Sequence, residues 1–153
     1  MVERLKGEII LALGSNLGNR EDNLSKSISL IGKKIGKVTK ISKYFENDPV
    51  GFDSTNTFIN MCIKVETTKE PLEILKELKS IEKSLGRKKT KKEYEDRPLD
   101  VDIILFNDFV MTSDDLIIPH PRYTSRPFVL VPMCDIGDYI DPNVFLTCKQ
   151  LLK

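Results

Sequence analysis

Two aspartates stand two residues apart in RPLDVDIILF (97–106), interleaved with apolar residues. In an extended strand the side chains at i and i+2 leave the same face, so Asp100 and Asp102 lie side by side with Cα atoms ~7 Å apart. A carboxylate pair on an open sheet face suits a hard cation such as Mg²⁺, which takes oxygen ligands and completes its shell with water or phosphate. Asp is disfavoured inside strands, so two in succession on one face ask for a reason. The plain alternative is a solvated strand face without a ligand.

Charge is sorted along the chain around this pair. Residues 87–97 hold Arg87, Lys88, Lys89, Lys91, Lys92 and Arg97 against Glu93, Glu95 and Asp96, whereas residues 98–119 hold five Asp and no Lys or Arg. A cationic segment beside paired carboxylates has the parts to hold a metal–polyphosphate, with the cations taking oxygens the metal leaves. Any single lysine there reads equally as solvated surface. Arg97 differs, because it is three residues from Asp100 and tied to the strand. Phe58 and Asn60 share a face of TFINMCIKVET (57–67), an aromatic beside an amide able to stack on and hydrogen-bond a flat heterocycle. GSNLGN (14–19) lacks the GK[ST] of a Walker loop and reads as a tight strand-to-helix turn. The single histidine, His120, lies between prolines with Arg122 and Arg126 following.

Regular elements must position these groups. Residues 8–13 are a short apolar run, expected as a buried strand. Leu24, Ile28, Ile31 and Ile35 recur at helical spacing, with Gly36 placed to end the helix. Residues 37–46 alternate and predict one strand, and 47–57 have loop composition. In 57–67, Ile59, Met61, Ile63 and Val65 share one face and Phe58, Asn60, Cys62 and Lys64 the other. Pro71 opens a second helix with the stripe Ile74, Leu78, Ile81 and Leu85, and Gly86 stops it. In 99–106, Leu99, Val101, Ile103 and Leu105 face the core. A short strand, a loop and a short helix are expected in the tail. The order β-α-β-β-α-β with a C-terminal extension predicts an α+β, ferredoxin-like fold. It has an antiparallel sheet with both helices on one face, leaving the other to carry a site.

Composition narrows the classes. With 153 residues, one domain over 1–153 is expected. A balance of 24 Lys plus Arg against 23 Asp plus Glu argues against a surface adapted to nucleic acid. No apolar run nears the ~20 residues of a membrane span, and the N-terminus lacks a signal-peptide pattern. Cys62, Cys134 and Cys148 are odd in number and widely spaced, as expected of reduced thiols in a cytoplasmic protein. One histidine and no CxxC or HxxxH pairing argue against a structural zinc site.

Taken in order, LALGSNLGNR (11–20), PVG (49–51), FIN (58–60), GRKK (86–89), RPLDVDIILF (97–106) and PHPRYTSRPFVL (119–130) resemble the 6-hydroxymethyl-7,8-dihydropterin pyrophosphokinases of folate synthesis. That family has a ferredoxin-like fold, and the resemblance implies transfer of pyrophosphate from ATP to 6-hydroxymethyl-7,8-dihydropterin, leaving AMP. It implies that Asp100 and Asp102 hold two Mg²⁺ ions, and that Arg87 and Arg97 reach the phosphates. Lys89, Ile103, His120 and Arg126 match ATP-contacting positions. Phe58 and Phe128 match the aromatic pair around the pterin, with Asn60 reading its amide edge and the main chain at Asn47, Asp48 and Val50 adding hydrogen bonds. A monomer is expected. The chain departs from the pattern at Glu95 and Asp96, where Gly or Ala and then Pro or another small or acidic residue are usual, at Tyr94 for Trp, and at Pro121 for an aromatic.

Two other readings use the same residues. An RNA-binding sheet would use exposed aromatics on its central strands, yet here Asp100 and Asp102 would repel phosphate without a cation. A metabolite-sensing regulatory domain would need a partner domain. AMP release separates the enzyme from both.

Overall fold

A computed structural model describes residues 6–48, 56–87 and 96–153. The chain forms β1 (Gly7–Ser15), α1 (Arg20–Lys34), β2 (Lys37–Ile41), β3 (Phe45–Asn47), β4 (Phe58–Thr67), α2 (Pro71–Ser84), β5 (Asp100–Phe106), β6 (Met111–Thr112), β7 (Ile117–Ile118), α3 (Pro127–Ile136) and α4 (Cys148–Leu152). The main sheet runs β2-β4-β1-β5, with β3 also on β4, and its pairings are antiparallel.

The helices begin where their sequences provide caps. The Asn19 side chain accepts the Asp22 amide at 3.0 Å, acidic residues fill the first turn of α1, and Lys33 and Lys34 its last. Pro71 opens α2 behind a Glu70/Glu73 capping box. Both helices turn their stripes onto one sheet face. Leu24 and Ile31 of α1, and Ile74, Leu78 and Ile81 of α2, pack with Leu11, Leu13, Met61, Ile63, Val101 and Ile103 in one buried cluster.

Gly36 serves a purpose beyond ending α1. A Cβ there would lie 2.0 Å from the Glu66 carbonyl oxygen and 3.1 Å from the Thr67 Cα, so the turn into β2 requires close backbone approach.

Three expectations are corrected. Residues 37–46 are two strands, not one. The break at 42–44 is set by distant partners: the Ser42 hydroxyl accepts the Cys62 amide at 2.9 Å, and the Lys43 amide donates to Asp135 of α3 at 2.7 Å. Leu105 does not share the face of Ile103. Ile10 pairs with Leu105 and Leu11 with Ile103, so Ile104 is a bulge, and Ile104 and Leu105 both pack in the second core. Lastly, the second sheet face is not left open along its length. Tyr123, Val129, Leu130, Met133 and Ile136 cover it against Ile10, Cys62, Ile104 and Leu105, so the tail builds a core of its own.

Candidate active site

The uncovered end of the second face is a row of cross-strand neighbours. Phe45 pairs with Asn60, Asn60 with Gly14, and Gly14 with Asp100; the next row pairs Cys62 with Ala12 and Ala12 with Asp102. Directly opposed residues share a face, so Phe58, Asn60, Asp100 and Asp102 rise from one floor. A side chain at Gly14 would collide with the Asn60 amide, whose oxygen lies 2.6 Å from where a Cβ would be. The glycine therefore lets Asn60 lie across β1. Asn60 donates its amide to Asn47, whose own amide reaches the Asp48 carbonyl at 2.8 Å.

At the other end, Arg87 and Arg97 each place Nη1 3.2 Å from Asp100 Oδ1. Arg87 also reaches Glu82 Oε2 at 2.5 Å, and that oxygen accepts the Val101 amide at 2.9 Å. Glu82 belongs to this cluster, and the sequence reading passed over it. Its signal was present: position 82 follows Leu78 by four on the apolar stripe of α2, an unusual place for a carboxylate. Burial, opposed by Arg87, pushes the Glu82 carboxyl up to about 7. Asp102 keeps some exposed area but sits deep, and burial, then the charges of Asp100 and Glu82, push it up to about 7 as well. Negative charge is in excess here. Oxygen donors on one face, with charge that a cation would relieve, fit Mg²⁺. Among the described residues no group of three or more His, Cys, Asp or Glu is gathered for a metal, so water and phosphate would complete its shell.

The tail supplies the third side. The His120 amide donates to the carbonyl of the bulged Ile104 at 2.9 Å, which fixes PHPR against β5. His120 Nδ1 accepts the Arg122 amide at 3.1 Å, which assigns the proton of the neutral ring to Nε2. Burial, then Arg126, holds His120 down at about 4. The unfolded chain therefore binds a proton between about pH 6.5 and 4 that the folded chain refuses, and stability present above pH 6.5 is lost as pH falls through that window. His120→Gln should remove up to one proton from the slope of unfolding free energy against pH there, read by urea titration. An unaltered slope would count against the buried neutral ring.

Arg126 carries its guanidinium 5.5 Å from the centroid of Phe128, at the start of α3. The expected residues divide as follows. Arg87, Arg97, Asp100 and Asp102 gather at one end, Asn47, Phe58 and Asn60 at the other, and His120, Arg126 and Phe128 on the tail. Asp48 takes part through its carbonyl. Ile103 is 4% exposed in the helix-side core, so a ligand on this face would meet none of its side chain. Val50 and Lys89 lie outside the described residues, as do Tyr94 and Glu95. Asn16 was missed too, a buried amide in a motif read only as a turn.

A carboxylate pair under two arginines, beside an aromatic–amide platform, has the parts that a polyphosphate-handling transferase with a second substrate would use. Residues 10–138 match the family model described as 7,8-dihydro-6-hydroxymethylpterin-pyrophosphokinase (HPPK). A Bacillus subtilis 2-amino-4-hydroxy-6-hydroxymethyldihydropteridine pyrophosphokinase is 38% identical over 86% of this chain and 78% of its own. A Porphyromonas gingivalis enzyme of the same name is 34% identical over 88% and 94%. An Arabidopsis thaliana folate synthesis bifunctional protein is 41% identical over 84% of this chain, which spans only 27% of that relative. The solved Plasmodium falciparum HPPK-DHPS with pteroate superposes over 99% of this chain and 43% of that one, with a TM-score of 0.79 at 17% identity, a likeness of fold alone. The chain belongs to the HPPK family, whose members transfer pyrophosphate from ATP to hydroxymethyldihydropterin in folate synthesis. Among the described residues no helix is long and apolar enough to cross a membrane.

Proposed function

We propose that this chain performs that transfer on the sheet floor described above, with Asp100 and Asp102 holding two Mg²⁺ ions. One observation carries the reading: the two carboxylates share a face with Phe58 and Asn60, while both arginines already converge on Asp100. Bound there, Mg²⁺ would neutralise phosphate charge and lower the cost of charge that develops as pyrophosphate moves. Arg87 and Arg97 would turn from Asp100 to the phosphate oxygens, exchanging one anion for another. Lys89, His120, Arg126 and the main chain at Ile103 would hold the remainder of ATP. His120 does so as a neutral donor through Nε2. Phe58 and Phe128 would flank the pterin ring and Asn60, oriented by Asn47, would read its amide edge, with main-chain groups at Asn47, Asp48 and Val50 alongside.

The strand order, and the placement of both helices on one face, support a ferredoxin-like plan carried by residues 1–153 as one unit. The reading includes a monomer working in the cytoplasm. The test is product analysis. ATP, Mg²⁺ and 6-hydroxymethyl-7,8-dihydropterin should give AMP and the pterin diphosphate in equal amounts, and chelation with EDTA should stop both. Release of ADP, or AMP formed without pterin, would exclude the reading.

A further inference from the structure

Arg20 stands where its own helix has no use for it. It is the first residue of α1, where the helix dipole favours anions, and Glu21 and Asp22 follow the rule that Arg20 breaks. Its partners lie on other elements. Arg20 Nη1 donates to the Thr57 hydroxyl at 2.7 Å and to the Thr57 carbonyl at 3.0 Å, and lies 3.3 Å from Glu46 Oε1. The Thr57 hydroxyl donates to that same Glu46 oxygen at 2.7 Å, so three side chains close a ring. The Thr57 hydroxyl, then Arg20, hold the Glu46 carboxyl below the usual carboxylate range.

The ring stands behind the heterocycle platform. β3 is three residues long, and its pairing ends at Asn47 opposite Phe58. A ladder frays at its end, where the last pair has neighbours on one side only. Glu46 precedes Asn47 and leaves the opposite face of β3, and Thr57 precedes Phe58 where β4 begins. Arg20 therefore grips the residue next to each member of the last pair. It does so from a helix whose Leu24 and Ile31 are fixed in the core. Asn16 also anchors the approach to β4, through the Asn56 carbonyl at 3.4 Å and Asp96 at 2.7 Å, whereas Arg20 reaches both strands. The side chains of Arg20 and Glu46 are 30% and 59% exposed, and exposed ion pairs add little to stability. What this ring controls is placement.

We propose that Arg20 is a positioning residue for the heterocycle. By holding Glu46 and Thr57 from behind, it keeps Asn47 and Phe58 in the arrangement that accepts the pterin ring. The inference rests on the function proposed above and adds to it a group outside the floor of the site.

The experiment measures AMP release by the full chain against each substrate in turn. Calorimetric binding of 6-hydroxymethyl-7,8-dihydropterin, with Mg²⁺ and an ATP analogue whose α–β bridging oxygen is methylene, accompanies it. Arg20→Ala should raise both KM and Kd for the pterin by about tenfold, the effect of a lost charge-assisted bond. KM for ATP and kcat should stay within about twofold of wild type, and the melting temperature should change little. Thr57→Val keeps the shape of the side chain but breaks the ring, and should weaken pterin in the same way. Thr57→Ser keeps the hydroxyl and should restore wild-type affinity. The double variant Arg20→Ala/Thr57→Val should lose less than the product of the two single losses, because both break one ring. Unchanged pterin affinity in either single variant overturns the clamp, and Thr57→Val decides alone if Arg20→Ala does not fold. An equal rise in KM for both substrates, or a loss confined to kcat, also overturns it. In each of these cases wild type still releases AMP, whereas wild type that neither binds pterin nor releases AMP overturns the function as well.

Discussion

Asp102→Asn is expected to cut AMP release by about 10³-fold at saturating Mg²⁺, since a bound metal contributes several kcal/mol and each 1.36 kcal/mol is tenfold in rate. The amide keeps the shape of the carboxylate and one oxygen, but loses the charge that the metal needs. The same substitution should raise the melting temperature in metal-free buffer. Asp102 is buried beside Asp100 and Glu82, and folding must hold that charge against burial and repulsion. Activity and stability should therefore move in opposite directions, as at other sites strained for function. Near-wild-type turnover would remove Asp102 from the mechanism. A lower melting temperature would mean that the carboxylate is held chiefly by partners, not opposed by them.

The largest structural effect is expected from Gly36→Ala. The added methyl would meet backbone atoms of Glu66 and Thr67, which cannot rotate away, so α1 and β4 must part. Overpacking typically costs 1–3 kcal/mol, and against backbone a loss of about 3 kcal/mol or more is expected. In a domain of this size that is a fall of roughly 6–12 °C in melting temperature. Gly32→Ala is the control. Gly32 lies within α1, and a Cβ there meets nothing within 4 Å, so the same methyl should stabilise by about 0.5–1 kcal/mol. Scanning calorimetry of the two variants decides it. Equal shifts would show that helix propensity alone governs both glycines.

The sequence was most informative where a pattern is local. The stripes of α1 and α2, Pro71, and the strict alternation of β4 each placed an element to within a residue or two of its observed bounds. On the site, alternation placed Asp100 with Asp102 and Phe58 with Asn60, and register then brought the two pairs onto one floor. What stayed hidden depends on distant partners. The break between β2 and β3 is imposed by Cys62 and Asp135, and nothing within 37–46 records it. A bulge is one unpaired residue in an otherwise regular run, so Ile104 was invisible and Leu105 was given to the wrong core. The tail's cover over the second face was missed because its helix, apolar on most sides, carries little periodic signal. Asn16 was overlooked because an amide in a turn has the same composition whether it caps its own turn or holds two remote segments.

The bulge at Ile104 also sets the medium around the site. An unbroken strand would send Leu105 to the helices and place Ile104 and Phe106 beyond Asp102, whereas here Phe106 packs against the helix-side core. With the bulge, Ile104 and Leu105 both join the tail-side core, and the face changes abruptly from two carboxylates to hydrocarbon. Asp102 stands on that dielectric border. Coulomb attraction across a border of this kind is several times stronger than in water at the same separation. Asp102 therefore meets hydrocarbon on its inner side while the end of the sheet stays open, and burial disfavours its charged form.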